Sequence, residues 1–426
     1  MDFFYPSEKI KLMRKKFRVN QSELETENMT RAYISMMESG KRNVTKSSSK
    51  MLAEKFNHIA SRIHANLNLD DDYFFRQPKD DARYYCSNEL NFEKNITHQK
   101  LDELAQIELD YHLDDLLAET YARNGKMYLA EKDYNNAYIY LNNSLGMYKE
   151  LRLYTEQPDI YKKLGACKIA KGDYEDALFF FNQAIAYAEK VNDIEIFIKA
   201  SHDLAIAYAG LKQFNKCLDT LEKNILRNKL ASDHALFNSA KFIKANILFE
   251  NGSQSEAVKE YFELAEKIRA SDEVTLGVIY NNIAEYYYNI TDYSKSLNYI
   301  SEAQRVKMKS NKRSLSSTLA LKSKVLLAQG YYDESLLLIE LAIDMAEQYM
   351  TFNILIDNYK YLVKILEIRK DYGKIKEKMN RLLITSKDYN LESGKSYSIF
   401  KLAEVASLEG NREDSITLLH ELESYL

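Results

Sequence analysis

The residue types that do covalent or metal chemistry are few in this chain and poorly spaced for it. The seven histidines, His58, His64, His98, His112, His202, His234 and His420, form no HExxH pattern, in which two imidazoles one helical turn apart share a zinc ion. Cys86, Cys167 and Cys217 form no CxxC pair, so buried reduced thiols are expected rather than a disulfide framework or a zinc ribbon. Gly394-Lys395-Ser396 looks like the end of a phosphate-binding loop, but Tyr389 stands where the other glycine is needed. Asp70-Asp71-Asp72 lacks the glycine and closing glutamate of a calcium loop and reads as part of a solvated linker. No catalytic residue, metal or cofactor is expected, and the chain does not read as an enzyme.

Charge is the chemistry that is concentrated. The first 60 residues carry 12 Lys/Arg against 7 Asp/Glu, a net of +5, while the whole chain of 426 residues is at −4. A basic head on an acidic body suits a head that meets phosphates. Elsewhere the composition is that of a folded protein, 46% hydrophobic and 29% charged. With only 3 prolines and 12 glycines, long helices are expected and a loop-rich or all-β chain is disfavoured. No stretch approaches the roughly 18 uncharged apolar residues of a membrane span. Met1-Asp2-Phe3-Phe4-Tyr5-Pro6-Ser7-Glu8 has no basic n-region, so it is not a signal peptide and a cytoplasmic location is expected.

Two sets of elements must position these residues. The larger is a repeat in which a turn precedes an anchor residue and a small residue usually follows three later, as in Gly172-Asp173-Tyr174-Glu175-Asp176-Ala177. The anchors fall at positions 134, 174, 214, 254, 293, 332, 372 and 412, a spacing of 39 or 40 throughout. Nine residues before each anchor stands Gly125, Gly165, Ala205, Ala245, Ala284, Ser323, Val363 or Ala403, small in every unit but one. Seven after it stands a large apolar residue, from Leu141 and Phe181 to Met379 and Leu419. These spacings describe one face of a helical hairpin. A single hairpin cannot bury that face, so the units must stack into a solenoid.

The smaller set lies in the basic head. Ile10 to Phe17 reads as a first amphipathic helix. A second starts at Asn20, with Glu23 in the capping-box position. Thr30 caps a third, Arg31 to Glu38, which Ser39-Gly40 ends. A fourth covers about Ser48 to Phe56. The fold expected is all-α, with a head over 1–62, a linker and connecting helix over 63–111, and about eight hairpins over 112–426.

Tyr161-x-x-Leu164-Gly165, Gly172-Asp173-Tyr174-x-x-Ala177, Phe181 and Ala184 resemble the tetratricopeptide repeat, whose usual period is about 34 residues. The resemblance implies a right-handed solenoid whose first helices line an inner groove. It places Lys162, His202, Phe242, Asn246, Asn281, Glu285, Lys324, Lys360 and Lys364 in that groove, with Tyr288 one turn beyond Glu285. Asparagines there can hold the backbone of an extended peptide, and the lysines suit a carboxylate.

Asn20-Gln21-x-x-Leu24 and Ile34-Ser35-x-x-Glu38-x-Gly40-Lys41-Arg42-Asn43 resemble the Cro/repressor-type helix-turn-helix. Glu27-Asn28-Met29 replaces that family's Leu-Gly turn, with Asn28 expected to take the left-handed conformation. The resemblance implies that the third helix enters the major groove and offers Thr30, Arg31, Ala32, Tyr33 and Ser35 to DNA, while Ile34 and Met37 pack inward. Arg31 is the candidate for a bidentate guanine contact. Gln21, Lys41, Arg42 and Asn43 are placed for backbone phosphates.

A Cro-type head on a tetratricopeptide body is similar to the cytosolic peptide-pheromone receptors of Gram-positive bacteria and their phages, the Rap/Rgg/NprR/PlcR/PrgX group with the arbitrium-type receptors. The resemblance implies a quorum-sensing transcriptional regulator: a homodimer on a double-stranded DNA operator, switched by a short signalling peptide. The alternative is an adaptor that sequesters a protein partner such as a response regulator. Members that act as aspartyl-phosphate phosphatases carry a helical bundle where this chain has its head, so that activity is not expected.

Overall fold

Each of the eight anchors is the first residue of a helix. In the computed structural model, which describes residues 2–92, 96–228 and 234–423, helices α6 to α21 pair around these positions. The pairs are α6 (Asp114–Ala130) with α7 (Tyr134–Glu150), α8 (Gln157–Ala170) with α9 (Tyr174–Val191), and α10 (Ile194–Gly210) with α11 (Phe214–Thr220). They continue as α12 (His234–Glu250) with α13 (Gln254–Ile268), α14 (Glu273–Asn289) with α15 (Tyr293–Ser310), and α16 (Leu315–Ala328) with α17 (Tyr332–Gln348). The last two are α18 (Phe352–Ile368) with α19 (Tyr372–Asp388), and α20 (Glu392–Leu408) with α21 (Arg412–Glu423). α11 runs on as a π-helical stretch, Leu221–Leu226. No β-strand occurs among the described residues, and no helix there is long and apolar enough to cross a membrane.

In the first two hairpins the small residue before the anchor and the large one after it meet across the pair. A Cβ on Gly125 would lie 2.7 Å from Leu141 Cγ, and one on Gly165 would lie 2.6 Å from the Phe181 ring, so both positions need hydrogen for a side chain. Leu141, Phe181, Leu221, Tyr261, Ile300, Ile339 and Met379 are all fully buried, whereas Leu419 in the final pair is 46% exposed. The turns are equally regular. The residue two before each anchor takes positive φ: Lys132, Gly172, Lys212, Gly252, Thr291, Gly330, Lys370 and Gly410. This is the left-handed residue that ends a helix, and Asp133 N–H donating to Tyr128 O at 2.9 Å shows the accompanying Schellman bond.

The chain divides into two compact units, Met1–Leu236 and Phe237–Leu426. The first holds the head: α1 (Pro6–Phe17), a 3-10 turn at Gln21–Leu24, α2 (Arg31–Glu38) and α3 (Lys46–Arg62). Ile10, Leu24, Met29, Ile34, Met37, Leu52 and Phe56 form its core. The helix expected at Asn20 is only that single 3-10 turn, although its capping box forms, with Asn20 N–H donating to Glu23 Oε1 at 2.7 Å. Asn28 does not adopt positive φ. Thr26 and Met29 instead exchange backbone hydrogen bonds of 3.0 and 3.1 Å, which close the tight turn without a left-handed residue.

Among the described residues of 63–111 there are two helices, α4 (Pro78–Phe92) and α5 (His98–Asp110), rather than a solvated stretch with one. Phe74 joins the head core. The acidic run finds basic partners: Asp70 accepts from both terminal nitrogens of Arg76 at 2.6 and 2.7 Å, and Asp81 pairs with Arg76 and Lys9.

Candidate functional site

The head presents one helix face outward through the packing of the other. Ile34 and Met37 are the buried side of α2, so Arg31, Ala32 and Ser35 are exposed, as are Thr30, Lys41, Arg42 and Asn43 around its ends. Thr30 caps α2 by accepting from Tyr33 N–H at 3.4 Å, and the Glu25 carboxylate accepts from Arg31 N–H at 2.6 Å. Both contacts satisfy first-turn donors of a helix only eight residues long. Gly40, at φ +73°, turns the chain away, and the Arg42 guanidinium then lies 4.5 Å over the half-buried Tyr33 ring.

Two of the residues expected to face a ligand are used internally. Gln21 donates to Glu38 Oε2 at 2.6 Å, and Arg14 grips the same carboxylate at 2.8 and 3.1 Å. This clamp ties α1 and the 3-10 turn to the end of α2. Burial would raise the Glu38 pKa, but the hydrogen bonds from Arg14 and Gln21 outweigh it and hold the carboxyl below its ordinary value. Gln21 thus positions α2, a role that its place at a helix start did not reveal. Tyr33 is likewise partly packed against the head core.

The first helices of the hairpins carry the other set. In the first unit Lys162 is half-buried on α8, and His202 on α10 lies 3.2 Å from the Asp203 carboxylate. In the second unit Phe242 and Asn246 lie on α12, Asn281, Glu285 and Tyr288 on α14, Lys324 on α16, and Lys360 and Lys364 on α18. Tyr261, fully buried, joins the first of these. Its hydroxyl donates to Asn246 Oδ1 at 2.5 Å and accepts from Asn282 Nδ2 at 3.0 Å, and the Phe242 ring is 6.4 Å away. Tyr288 packs beside the anchor Tyr293, at 6.2 Å.

Further along, lysines and tyrosines alternate between neighbouring first helices. Lys324 lies 5.7 Å over the Tyr361 ring, and Lys360 lies 6.0 Å over Tyr397. Each tyrosine follows its lysine by 37 positions, close to the repeat length, so a search for paired types one repeat apart would have found Tyr361 and Tyr397. Lys360 also pairs with Asp357 at 3.2 Å, and Lys364 is exposed.

Lys307 gave no such signal. It sits on α15 at 2% exposure and donates to Thr318 Oγ1 at 2.9 Å, to Ser314 O at 3.2 Å and to Ser317 Oγ at 3.4 Å. All three acceptors are neutral, and burial lowers its pKa to about 8. Thr318 passes the contact on, donating to Asn281 Oδ1 at 2.8 Å.

The three cysteines and the Gly394-Lys395 pair are taken up by the packing of the helices. Cys86, Cys167 and Cys217 are buried, and burial pushes their thiols up to about 12, 11 and 12. Gly394 and Lys395 lie within α20, where Lys395 donates to Asn390 Oδ1 at 2.7 Å.

No protein-family model matches the chain. Regulatory protein RapK of Bacillus subtilis (strain 168) is 23% identical over 278 residues, which cover 61% of this chain and 70% of RapK. The chain is thus similar in sequence to a regulatory protein of the Rap type. Its fold is similar to that of the apo form of the quorum sensor NprR from B. thuringiensis, with TM-score 0.52 and 16% identity, covering 82% of this chain and 99% of NprR. A signal-transduction ATPase with a tetratricopeptide repeat sensor from Pyrococcus horikoshii gives TM-score 0.51 at 16% identity, covering 100% of this chain and 73% of that one. These two likenesses are ones of fold.

Proposed function

We propose that the chain is a transcriptional regulator that binds operator DNA through α2 and is switched by a short signalling peptide held on the first helices of its hairpins. The observation that carries the DNA half is the outward face of α2: Thr30, Arg31, Ala32 and Ser35 are exposed together beside Lys41, Arg42 and Asn43. Its register is held by the Arg14–Glu38–Gln21 clamp. Arg31 at the N-terminal end of such a helix suits a guanine edge, and the three residues after Gly40 suit phosphates. One head reads few base pairs, so a homodimer on a palindrome is part of the reading. The exposed Leu408 and Leu419, beside a cavity of about 290 Å³ in the last hairpin, offer apolar area for pairing with a second copy.

The peptide half is supported by the similarity to RapK and by the amides, lysines and tyrosines aligned on α12 to α20. Peptide binding would shift a two-state equilibrium by as much as its affinity for the two states differs.

The test is footprinting of the purified protein on DNA flanking its own gene, at moderate salt. A protected palindrome is expected. Arg31→Ala should weaken specific binding by about 1–3 kcal/mol and leave peptide affinity unchanged. Absence of protection, with or without peptide, would sink the DNA reading. It would favour the second one, an adaptor for a protein such as a response regulator, for which similarity to a regulatory protein of the Rap type also speaks.

A further inference from the structure

The segment before α1 is held against the helices that follow the head. Phe3 packs on the rings of Tyr85 at 5.9 Å and Tyr111 at 5.4 Å, and its N–H donates to the Tyr111 hydroxyl at 3.2 Å. Phe3 and Phe4 thereby line a cavity of about 490 Å³, whose other walls come from Lys9 on α1, from the loop before α4, and from Tyr84, Tyr85 and Glu89 on α4. That volume suits a small organic molecule.

The basic groups of the cavity are already spent. Lys9 ion-pairs with Asp81 and gives its other two protons to the carbonyls of Tyr73 and Arg76, each at 2.8 Å. Arg76 closes its fork on Asp70 at 2.6 and 2.7 Å and turns Nε to Asp81 at 2.7 Å. An anionic ligand would meet four carboxylates, those of Asp2, Asp70, Asp81 and Glu89, with no ammonium or guanidinium fork left to grip it.

The aromatic walls favour the opposite charge. Three of the tyrosines already hold a cation over the ring: Lys9 at 5.1 Å from Tyr73, Arg76 at 4.1 Å from Tyr84, and Lys100 at 5.1 Å from Tyr85. Phe4 remains 43% exposed. Lys100 holds Glu89 by Oε2 at 2.6 Å, which leaves Oε1 for a second cation.

We infer that this cavity is a binding site for a small organic cation, an amine carried on an aromatic body, whose ammonium meets Glu89 and whose ring lies against Phe4 and Tyr84. The site rests on neither the DNA nor the peptide reading. Arg14, which grips Glu38 at the end of α2, stands on the same helix as Lys9, so an occupant touches the helix that holds α2 in place.

The probes are tyramine, p-ethylphenol and p-hydroxyphenylacetate, which share one ring and are cationic, neutral and anionic at neutral pH. Calorimetric titration of the full-length chain should show tyramine binding at least about tenfold more tightly than p-ethylphenol, with p-hydroxyphenylacetate weakest. Glu89→Gln, which can still accept from Lys100, should bring tyramine to within about threefold of p-ethylphenol and leave p-ethylphenol itself unchanged. A role for Glu89 in folding alone would move both ligands or neither. Phe4→Ala should weaken both about threefold, with the thermal midpoint unchanged. Tyramine binding that is no tighter than that of p-hydroxyphenylacetate, or that is insensitive to either substitution, overturns the site. So does the absence of tyramine binding below about 5 mM.

Discussion

Lys9 in the head and Lys307 on α15 are buried to the same degree, at 3% and 2% exposure, but they are surrounded in opposite ways. Lys9 ion-pairs with Asp81 and donates to the carbonyls of Tyr73 and Arg76, each at 2.8 Å. Among the described residues Lys307 has hydroxyls and a carbonyl, and no carboxylate. Burial lowers the pKa of both, and at Lys9 the Asp81 carboxylate opposes it. The difference separates two uses of a buried cation. Lys9 joins α1 to α4 through a charge that is answered on the spot. Lys307 leaves its charge unanswered, and what it does instead is fix the direction of a hydrogen-bond relay.

The comparison is broken most forcefully at Asp81. Asp81→Leu leaves Lys9 buried without its ion-pair partner and should cost about 3–5 kcal/mol of unfolding free energy, read by urea denaturation. A cost under about 1 kcal/mol would mean that the two carbonyls alone suffice for Lys9. Glu108 supplies the acidic counterpart of Lys307. It is fully buried on α5, one oxygen accepts from Thr120 at 3.0 Å, and the other has no partner. Burial raises its pKa to about 7. The folded state therefore holds this proton more tightly than the unfolded one, and stability conferred at low pH is lost as pH rises from about 4.5 to about 7. Glu108→Gln should remove that slope and stabilise the protein by about 2–3 kcal/mol at pH 8. An unchanged pH profile would place the carboxylate in contact with solvent.

The smallest effect is expected at Lys307 itself. Burial holds its folded pKa below the ordinary lysine value, so the unfolded chain binds more protons between about 8 and 10.5 and stability should rise with pH across that window. Lys307→Met should flatten this rise and gain about 1–2 kcal/mol at pH 7, because the lost hydrogen bonds offset part of the relieved desolvation. If Lys307→Met instead destabilised the fold as strongly as Asp81→Leu, the two lysines would be equivalent and the contrast would fail.

Much of the fold was legible because its signals are local and repeated. The anchors mark the first residues of eight second helices, Gly125 and Gly165 meet the side chains that their spacing implied, and Thr30 and Gly40 bound α2 as capping chemistry requires. The exposed face of α2 followed from Ile34 and Met37 alone, since a helix that buries one stripe must present the other. The inner faces were legible only as positions. Asn246 and Asn281 stand on first helices as their spacing implied, but nothing near them in the chain told that Tyr261 and Thr318 would be their hydrogen-bond partners.

The sequence by itself determined the repeat length, the hairpin register, the turns and the caps, because these depend on residues within one or two helical turns of each other. The tertiary structure decided the partners of the polar groups. It gave Gln21 to Glu38, paired Asp70 and Asp81 with Arg76 and Asp81 with Lys9, and set Lys307 behind Asn281 through Thr318. The physical reason is that helical periodicity reports which face is buried, whereas a buried donor must find an acceptor wherever packing brings one. That acceptor can lie on an element whose place in the sequence says nothing of the meeting.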